Sequence, residues 1–350
     1  MTGAEPERAP VHRAPATGLT WRFRPGRGSG VLAVVFSQAR VPEGRFGLER
    51  LFARTRHDCL FLNCPDALWF LECDDQIDAA IEAAIAASQA RRVVYHGASK
   101  GAHGALLTGL RRRDGAIHAF CPELRLGVPG SQSALYRPQG ADPGPDLAAL
   151  LTAAPTPHPV QVVFGLLDPI DAAGATALAG RQDANPMLHV LRLRSSHAAH
   201  DHLYSLNIIR KLITRYDRDL EAMCAERGLI AEDAPADVAR FAEVASGLVL
   251  GNPDALGEAL RDPYARHNPG YALCLATALI AAGRWEEAEA RLAEAQALID
   301  VDPVLSGLPK RWRKAVWQTR IDGRQRAGDG AGAECLQRML MQRFPDGTAD

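Results

Sequence analysis

The chain has 350 residues, with 40 Lys or Arg against 41 Asp or Glu, so its formal net charge is -1 and neither nucleic acid nor an anionic membrane is an expected partner. No apolar stretch is long enough to cross a bilayer, so no membrane span is predicted. The seven cysteines are an odd number without a Cys-x-x-Cys pair, which predicts reduced, buried thiols in a cytoplasmic protein.

Residues 1–19 are rich in Pro and Ala and are predicted to be disordered. Between 20 and 220, short apolar runs alternate with helical patterns, which predicts an α/β domain with a mostly parallel sheet and helices on both faces. The apolar runs bounded by turn residues predict buried strands over 30–37, 59–63, 92–97, 116–121, 160–165 and 188–193. Apolar residues at helical spacing predict helices over 47–55, 75–90, 100–113, 171–181 and 201–217.

One long connection, residues 122–158, interrupts this alternation. It is rich in Pro and Gly, and the pattern allows at most one helix in it. A long irregular connection inside a compact domain is usually functional, so we expect this loop to set substrate specificity.

From 225 to 345 the sequence predicts helices only. Residues 271–303 are typical of a helical hairpin, with Gly283 at the turn, small packing positions at Ala288 and Ala295, and larger ones at Leu275, Leu279 and Leu292. This spacing resembles a tetratricopeptide repeat, and 232–262 and 308–343 offer two weaker pairs. The resemblance implies a protein partner bound through the helical repeats, while a plain helical bundle is the alternative.

The strongest motif is "VVYHGASKGAHGALL", a strand, then Gly97-Ala98-Ser99-Lys100-Gly101, then a helix. A Gly-x-Ser-x-Gly pentapeptide in this context places the serine on a sharp strand-to-helix turn, at the positive end of a helix dipole. The alternative is a glycine-rich turn in which Ser99 only caps the helix.

With this motif, residues 30–215 resemble the α/β-hydrolase superfamily. The resemblance implies a nucleophile, then an acid after the next strand but one, and a histidine after the last strand. "VVFGLLDPID" offers Asp168 as the acid, with Asp171 as alternate, and "LHVLRLRSSH" offers His197. It therefore implies Ser99 as nucleophile, His197 as general base and Asp168 as the group that orients the base.

Three histidines crowd the stretch "RSSHAAHDHL" (194–203). His197 directly follows the strand and a Ser-Ser turn, which favours it as the base, and His200 one turn later is the alternate. We expect His202 on the helix surface. The spacing does not match the zinc pattern of metallo-β-lactamase-like hydrolases, so neither a metal nor a cofactor is expected.

The resemblance also implies an oxyanion hole, with one donor from the backbone N–H of Lys100 and a second from the loop near Ser37 and Gln38. The Lys100 ammonium either attracts an anionic substrate or points into solvent. As substrate-binding candidates we take His96, beside the serine turn, together with Asp66 and Trp69 in "NCPDALWFL" (63–71). A packed loop is the alternative for this last segment.

Three functions remain open. The first is a serine esterase, or similar acyl hydrolase, that acts through an acyl-enzyme on a small-molecule or glycan-linked acyl substrate. The second is an acyltransferase to a glycan or another hydroxyl acceptor. The third is a non-catalytic interaction protein that uses its helical repeats.

Overall fold

Eight strands form one sheet in the order β1-β2-β4-β3-β5-β6-β7-β8. The computed structural model describes residues 9–153, 155–181 and 183–345. In chain order, the strands are β1 (His12–Arg13), β2 (Thr20–Arg24), β3 (Val31–Phe36), β4 (Asp58–Asn63), β5 (Arg92–Ala98), β6 (Gly115–Phe120), β7 (Val160–Gly165) and β8 (Leu188–Leu193). The pairs β1–β2 and β2–β4 are antiparallel, whereas the pairs from β4–β3 to β6–β7 are parallel.

Every one of the six predicted strands is present, with ends within one residue of the prediction. β1 and β2 were not predicted, because two short antiparallel strands leave too weak a pattern. The segment predicted to be disordered, 1–19, contains β1, which pairs His12 with Trp21. Its first part, 1–8, lies outside the described residues.

Short helices connect the strands. They are α1 (Glu49–Phe52), α2 (Asp74–Ser88), α3 (Lys100–Arg112), α4 (Gln132–Tyr136), α5 (Leu147–Ala153), α6 (Pro169–Ala177), α7 (Ala199–Ser205) and α8 (Ile208–Thr214). Two helix predictions were wrong. The loop 122–158 holds α4 and α5 instead of at most one helix, and the helix predicted over 201–217 is divided at Asn207, whose φ is 62°.

Neighbouring residues of β5 show that both faces of the sheet are covered. A Cβ added at Gly109 of α3 would lie 3.1 Å from the Tyr95 ring, so α3 packs closely on this face. The next residue, His96, packs with the rings of Phe52 and Tyr216, with centroids 5.3 and 6.1 Å away, on the opposite face. The sheet is mostly parallel with helices on both faces, as predicted.

After α8 the described chain is helical, as predicted. The helices are α9 (Leu220–Ala225), α10 (Pro235–Val249), α11 (Pro253–Arg261), α12 (Tyr264–His267), α13 (Pro269–Ala281), α14 (Trp285–Val301), α15 (Lys310–Arg326) and α16 (Gly330–Arg343). The pairs α10/α11, α13/α14 and α15/α16 occupy the three segments predicted as helix pairs, and Gly283 turns the middle pair with φ 73°. Their relation to tetratricopeptide repeats stays a prediction.

The chain packs as two compact units that interleave along the sequence. The first comprises the chain up to 163 with 180–190 and 210–218, and the second comprises 164–179, 191–209 and the chain from 219 onward. These limits differ from the predicted domains 20–220 and 225–345, which stay a prediction. Among the described residues, no helix is both long and apolar enough to span a membrane.

Candidate active site

Ser99 occupies the turn between β5 and α3 in a strained backbone conformation. Its φ of 53° and ψ of -122° lie in a region that residues with a side chain rarely adopt. The Ser99 N–H donates to the carbonyl of Phe120 at 2.9 Å, which fixes the turn to the end of β6. Within the first turn of α3, whose residues are all described, the Ser99 hydroxyl makes no capping hydrogen bond. The alternative that Ser99 is only a helix cap is therefore not supported.

The glycines two residues before and after Ser99 allow this sharp turn. A Cβ at Gly97 would lie 2.1 Å from the carbonyl oxygen of Gly101, and one at Gly101 would lie 2.3 Å from the carbonyl oxygen of Phe36. Both distances are far below van der Waals contact, so the first turn of α3 can approach β5 and β3 only because these side chains are missing. The Gly-x-Ser-x-Gly spacing is thus a steric requirement of this turn.

In the second compact unit, Asp171 and His197 form a hydrogen-bonded pair. The Asp171 Oδ1 lies 3.0 Å from the His197 Nδ1, and the Asp171 Oδ2 accepts from the Gly165 N–H at 3.2 Å. An ionised carboxylate at this place would accept from Nδ1–H, and Nε2 would then be the basic nitrogen of the ring. The side chain of Asp171 is fully buried, so water does not compete for its oxygens.

A close backbone approach brings the histidine turn to the acid loop. A Cβ at Gly165 would lie 2.1 Å from the carbonyl oxygen of Ser196. Next to it, the Leu167 N–H donates to the Ser195 carbonyl at 2.9 Å. Gly165, at the end of β7, therefore lets the turn that carries His197 lie directly against the turn that carries Asp171.

Asp168, the predicted acid, has a different role in the structure. Its Oδ1 accepts from the N–H groups of Ile170 and Asp171 at 2.9 and 3.2 Å, which makes it the N-cap of α6. Burial and the nearby Asp171 carboxylate raise the pKa of Asp168 to about 6. Both aspartates lie within one helical turn. From the sequence alone, either of them could face His197.

Of the other two histidines in this stretch, His202 does not have the exposed position that the sequence predicts. His200, the alternate base, is buried, and its Nδ1 lies 3.9 Å from a carboxylate oxygen of Asp201. His202, expected on the surface, is buried instead, with its Nδ1 3.0 Å from the Ser195 hydroxyl oxygen. Burial lowers the pKa of His202 to about 4, so it is neutral and fastens α7 to the turn before His197.

Neither expectation for the Lys100 side chain is met. Its Nζ is fully buried and donates to the Cys64 carbonyl and to the Asp66 Oδ1, both at 2.7 Å. The ammonium thus has an internal counterion and does not face solvent. Asp66, predicted to bind substrate, is the partner of this ion pair.

The structure places the three oxyanion-hole candidates in different hydrogen-bonding positions. The N–H of Ser37 donates to the Leu62 carbonyl at 2.9 Å, as a continuation of the β3–β4 pairing, so Ser37 is not a donor to substrate. Gln38 follows it in the loop after β3. An N–H in the first turn of a helix has no carbonyl one turn earlier in its own helix, and the N–H of Lys100 stays a predicted donor.

The remaining substrate-binding candidates lie in the core. His96 is 0 % exposed within a group of aromatic rings, and Trp69 is 0 % exposed with its ring edge-on to His103. Residues without exposed surface do not line an open cleft. The burial of Trp69 agrees with the packed loop that the sequence left as an alternative for the segment 63–71.

The loop 122–158 is held by hydrogen bonds near its start, and a cleft lies along its middle part. The buried Glu123 carboxylate accepts from the Ser133 backbone N–H at 3.1 Å and from its hydroxyl. Residues between 125 and 143 line a cleft of about 850 Å³ that includes Arg125 and Arg137. The start of this loop is tied to the serine turn, because the Ser99 N–H donates to Phe120 just before it.

No model of a known protein family and no curated protein matches the chain. An α/β serine hydrolase homologue from Coxiella burnetii is 12% identical, over 61% of this chain and 99% of its own, with a TM-score of 0.42. The capsule O-acetyltransferase of Neisseria meningitidis serogroup A is 16% identical, over 60% of this chain and 97% of its own, with a TM-score of 0.44. Est1E from Butyrivibrio proteoclasticus is 14% identical, over 62% of this chain and 100% of its own, with a TM-score of 0.42. Likenesses this distant carry no weight for activity or substrate.

Proposed function

We propose that the chain is a serine hydrolase that cleaves an ester or a similarly activated acyl bond, with Ser99 as nucleophile, His197 as general base and Asp171 as the acid that orients the base. The backbone of Ser99 is the observation that carries this proposal. A residue with a side chain keeps a φ of 53° only where the surroundings enforce it, and such strain is typical of functional positions.

The Asp171–His197 pair supports the second part of the proposal. A neutral imidazole whose Nδ1–H is held by a buried carboxylate presents a basic Nε2, and the same carboxylate stabilises the imidazolium that forms. Ser99, Asp171 and His197 follow the carboxyl ends of β5, β7 and β8, of which β5 and β7 are parallel members of the sheet. In open α/β sheets this edge is where ligands bind.

The proposed reaction has two steps. The Ser99 Oγ attacks the acyl carbonyl carbon while His197 Nε2 takes its proton, and the leaving alcohol then receives that proton as the ester bond breaks. In the second step the same nitrogen takes a proton from a water molecule as its oxygen attacks the acyl carbon, and it returns that proton to the Ser99 Oγ as the acyl–serine bond breaks and the acid leaves. The N–H groups of Lys100 and Gln38 would stabilise the oxyanion in each step.

Substrate selection is assigned to the cleft of the 122–158 loop. This loop begins beside Ser99, and its Arg125 and Arg137 offer positive groups to a polar acyl or alcohol moiety, such as one linked to a glycan. The helical region after 225 is the proposed contact for a protein partner.

Labelling with a fluorophosphonate, followed by intact mass, tests the proposal. We expect one adduct on the wild type and on His200→Ala, and none on Ser99→Ala or His197→Ala. The matched histidine variants separate the proposed base from the alternate base three residues later. An unlabelled wild type contradicts the proposal and favours an interaction protein, whereas labelling that persists in Ser99→Ala contradicts it by showing a different nucleophile.

Turnover of p-nitrophenyl butyrate then separates hydrolase from acyltransferase. A hydrolase reaches full rate in water alone. A rate of p-nitrophenol release that rises with an added sugar, together with acylated sugar in the product, would identify an acyltransferase instead.

A further inference from the structure

We propose that Lys100 and Asp66 are a positioning pair that sets the oxyanion-hole loop, defined as residues 37–47, at a fixed place against the serine turn. The inference rests on the proposed function and deepens it, because it assigns a role in the same reaction to two residues that do not touch substrate. Both residues and the whole loop belong to the first compact unit.

The Lys100 side chain joins the start of α3 to the segment after β4. Its ammonium is 0 % exposed and lies 2.7 Å from both the Cys64 carbonyl oxygen and the Asp66 Oδ1. The same nitrogen lies 5.5 Å from the centre of the Phe70 ring. A buried ammonium is costly unless it is paired and hydrogen-bonded, so these contacts hold the segment 64–70 firmly to α3.

The second oxygen of Asp66 reaches the oxyanion-hole loop. Asp66 Oδ2 accepts from the Arg40 N–H at 2.8 Å. Arg40 has a φ of 63°, a conformation that a residue with a side chain keeps only where other contacts hold it. The carboxylate of Asp66 therefore bridges the start of α3 and a strained point of the loop, two residues after Gln38.

A second anchor holds the far part of the same loop. The Asn63 side-chain nitrogen lies 3.1 Å from the carbonyl oxygens of Val41, Pro42 and Arg45. With this part fixed by Asn63, the Arg40 contact to Asp66 determines the path of the residues between β3 and position 40. These residues include Gln38, the proposed second donor.

Oxyanion stabilisation makes this placement matter. The donors must lie about 2.7–3.1 Å from the position that the oxyanion takes in the transition state. The two proposed donors belong to different segments, Lys100 to the helix and Gln38 to the loop. The chain Lys100–Asp66–Arg40 connects these two segments, so its loss would loosen the hole while leaving the serine and the histidine in place.

Asp66→Asn tests the pair, because an amide can accept through only one of its two positions. Activity is measured on p-nitrophenyl butyrate, and transition-state binding with a phenyl trifluoromethyl ketone. In that adduct the Ser99 Oγ bonds to the ketone carbon, His197 takes the hydroxyl proton, and the former carbonyl oxygen carries the negative charge. If the oxyanion hole loses its alignment, kcat falls and the inhibitor Ki rises by a similar factor. If the pair has a purely structural role, kcat and Ki do not change in parallel.

We expect Asp66→Asn to lower kcat by about 10- to 100-fold, to raise the inhibitor Ki by the same factor, and to leave KM within about twofold. Glu43→Gln is the matched control. Glu43 lies in the same loop but pairs with Arg13 at an exposed position, so its kcat and Ki should equal those of the wild type.

A double variant, Asp66→Asn with Lys100→Met, covers the case in which the unpaired buried ammonium unfolds the single variant. The double variant removes both charges of the pair, and it should show the same loss in kcat and the same rise in Ki. A folded variant of either kind with wild-type kcat and Ki overturns the positioning pair, even if Ser99 is labelled as proposed. An unlabelled wild type overturns the proposed function itself, so the two failures are distinct.

Discussion

The Oδ1 of Asp168 accepts a hydrogen bond from the backbone N–H of Asp171 at 3.2 Å, although the two carboxylates have different tasks. Asp168 accepts from the first backbone N–H groups of α6 and caps that helix. Asp171, three residues later, accepts from the ring of His197. The first carboxylate fixes the helix start, and the helix start points the second carboxylate at the histidine.

Exchanging each carboxylate for an amide should separate the two roles. In Asp171→Asn the one remaining oxygen is taken by the Gly165 N–H, so the amide NH2 faces His197 Nδ1 and selects the wrong tautomer; kcat for p-nitrophenyl butyrate should fall by about 10⁴-fold. Asp168→Asn keeps an oxygen that can cap the helix, so kcat should stay within about threefold of the wild type, since caps such as Asn and Asp are nearly equivalent. If Asp168→Asn instead loses much more kcat than Asp171→Asn, Asp168 is the acid of the triad.

The raised pKa of Asp168, about 6 in the folded chain against an ordinary value of 3.8, predicts a pH dependence of stability. Between these values the folded state holds the proton and the unfolded state does not, so the free energy of unfolding falls as the pH rises. Relative to Asp168→Asn, the wild type should therefore lose stability from about pH 4 to about pH 6. Urea unfolding of both proteins across this range measures the difference, and a constant difference contradicts the shift.

The strained backbone of Ser99 predicts that glycine suits this position better than alanine does. Ser99→Gly and Ser99→Ala should both be inactive, but the glycine variant should be more stable by about 1 kcal/mol, because glycine adopts positive φ without strain. Thermal and urea unfolding provide the comparison. If alanine proves equally stable or more stable, the turn is not strained as described.

Gly101→Ala should disrupt the turn by a steric effect. Its Cβ would lie 2.3 Å from the Phe36 carbonyl oxygen, so β3 and α3 would have to separate, at a cost of about 1–3 kcal/mol in unfolding free energy. Gly330→Ala is the control, since a Cβ there meets no described atom within 4 Å. Urea unfolding of the two variants should show a loss for the first alone, and equal stabilities would mean that the turn can relax.

The sequence was sufficient for the features that depend on local patterns. Six buried strands were placed to within one residue, because continuous apolar runs between turn residues have few alternative structures. The helix pairs after 225 followed from helical spacing and from Gly283 at the turn. The position of Ser99 between β5 and α3 followed from the local pattern of a strand, a glycine-flanked serine and a helix.

Choices between near neighbours depended on the tertiary structure. Asp168 and Asp171 share one turn, and only the packing of Gly165 against Ser196 shows which of them reaches His197. Burial of His96 and Trp69 came from packing across the sheet, which a linear pattern does not contain. Lys100 was expected to face either an anionic substrate or solvent, because its counterion Asp66 is 34 residues away in the chain and no local pattern indicates the pair. Local periodicity thus determined where strands and helices form, whereas side-chain partners were decided by contacts between distant segments, which exist only once the chain has folded.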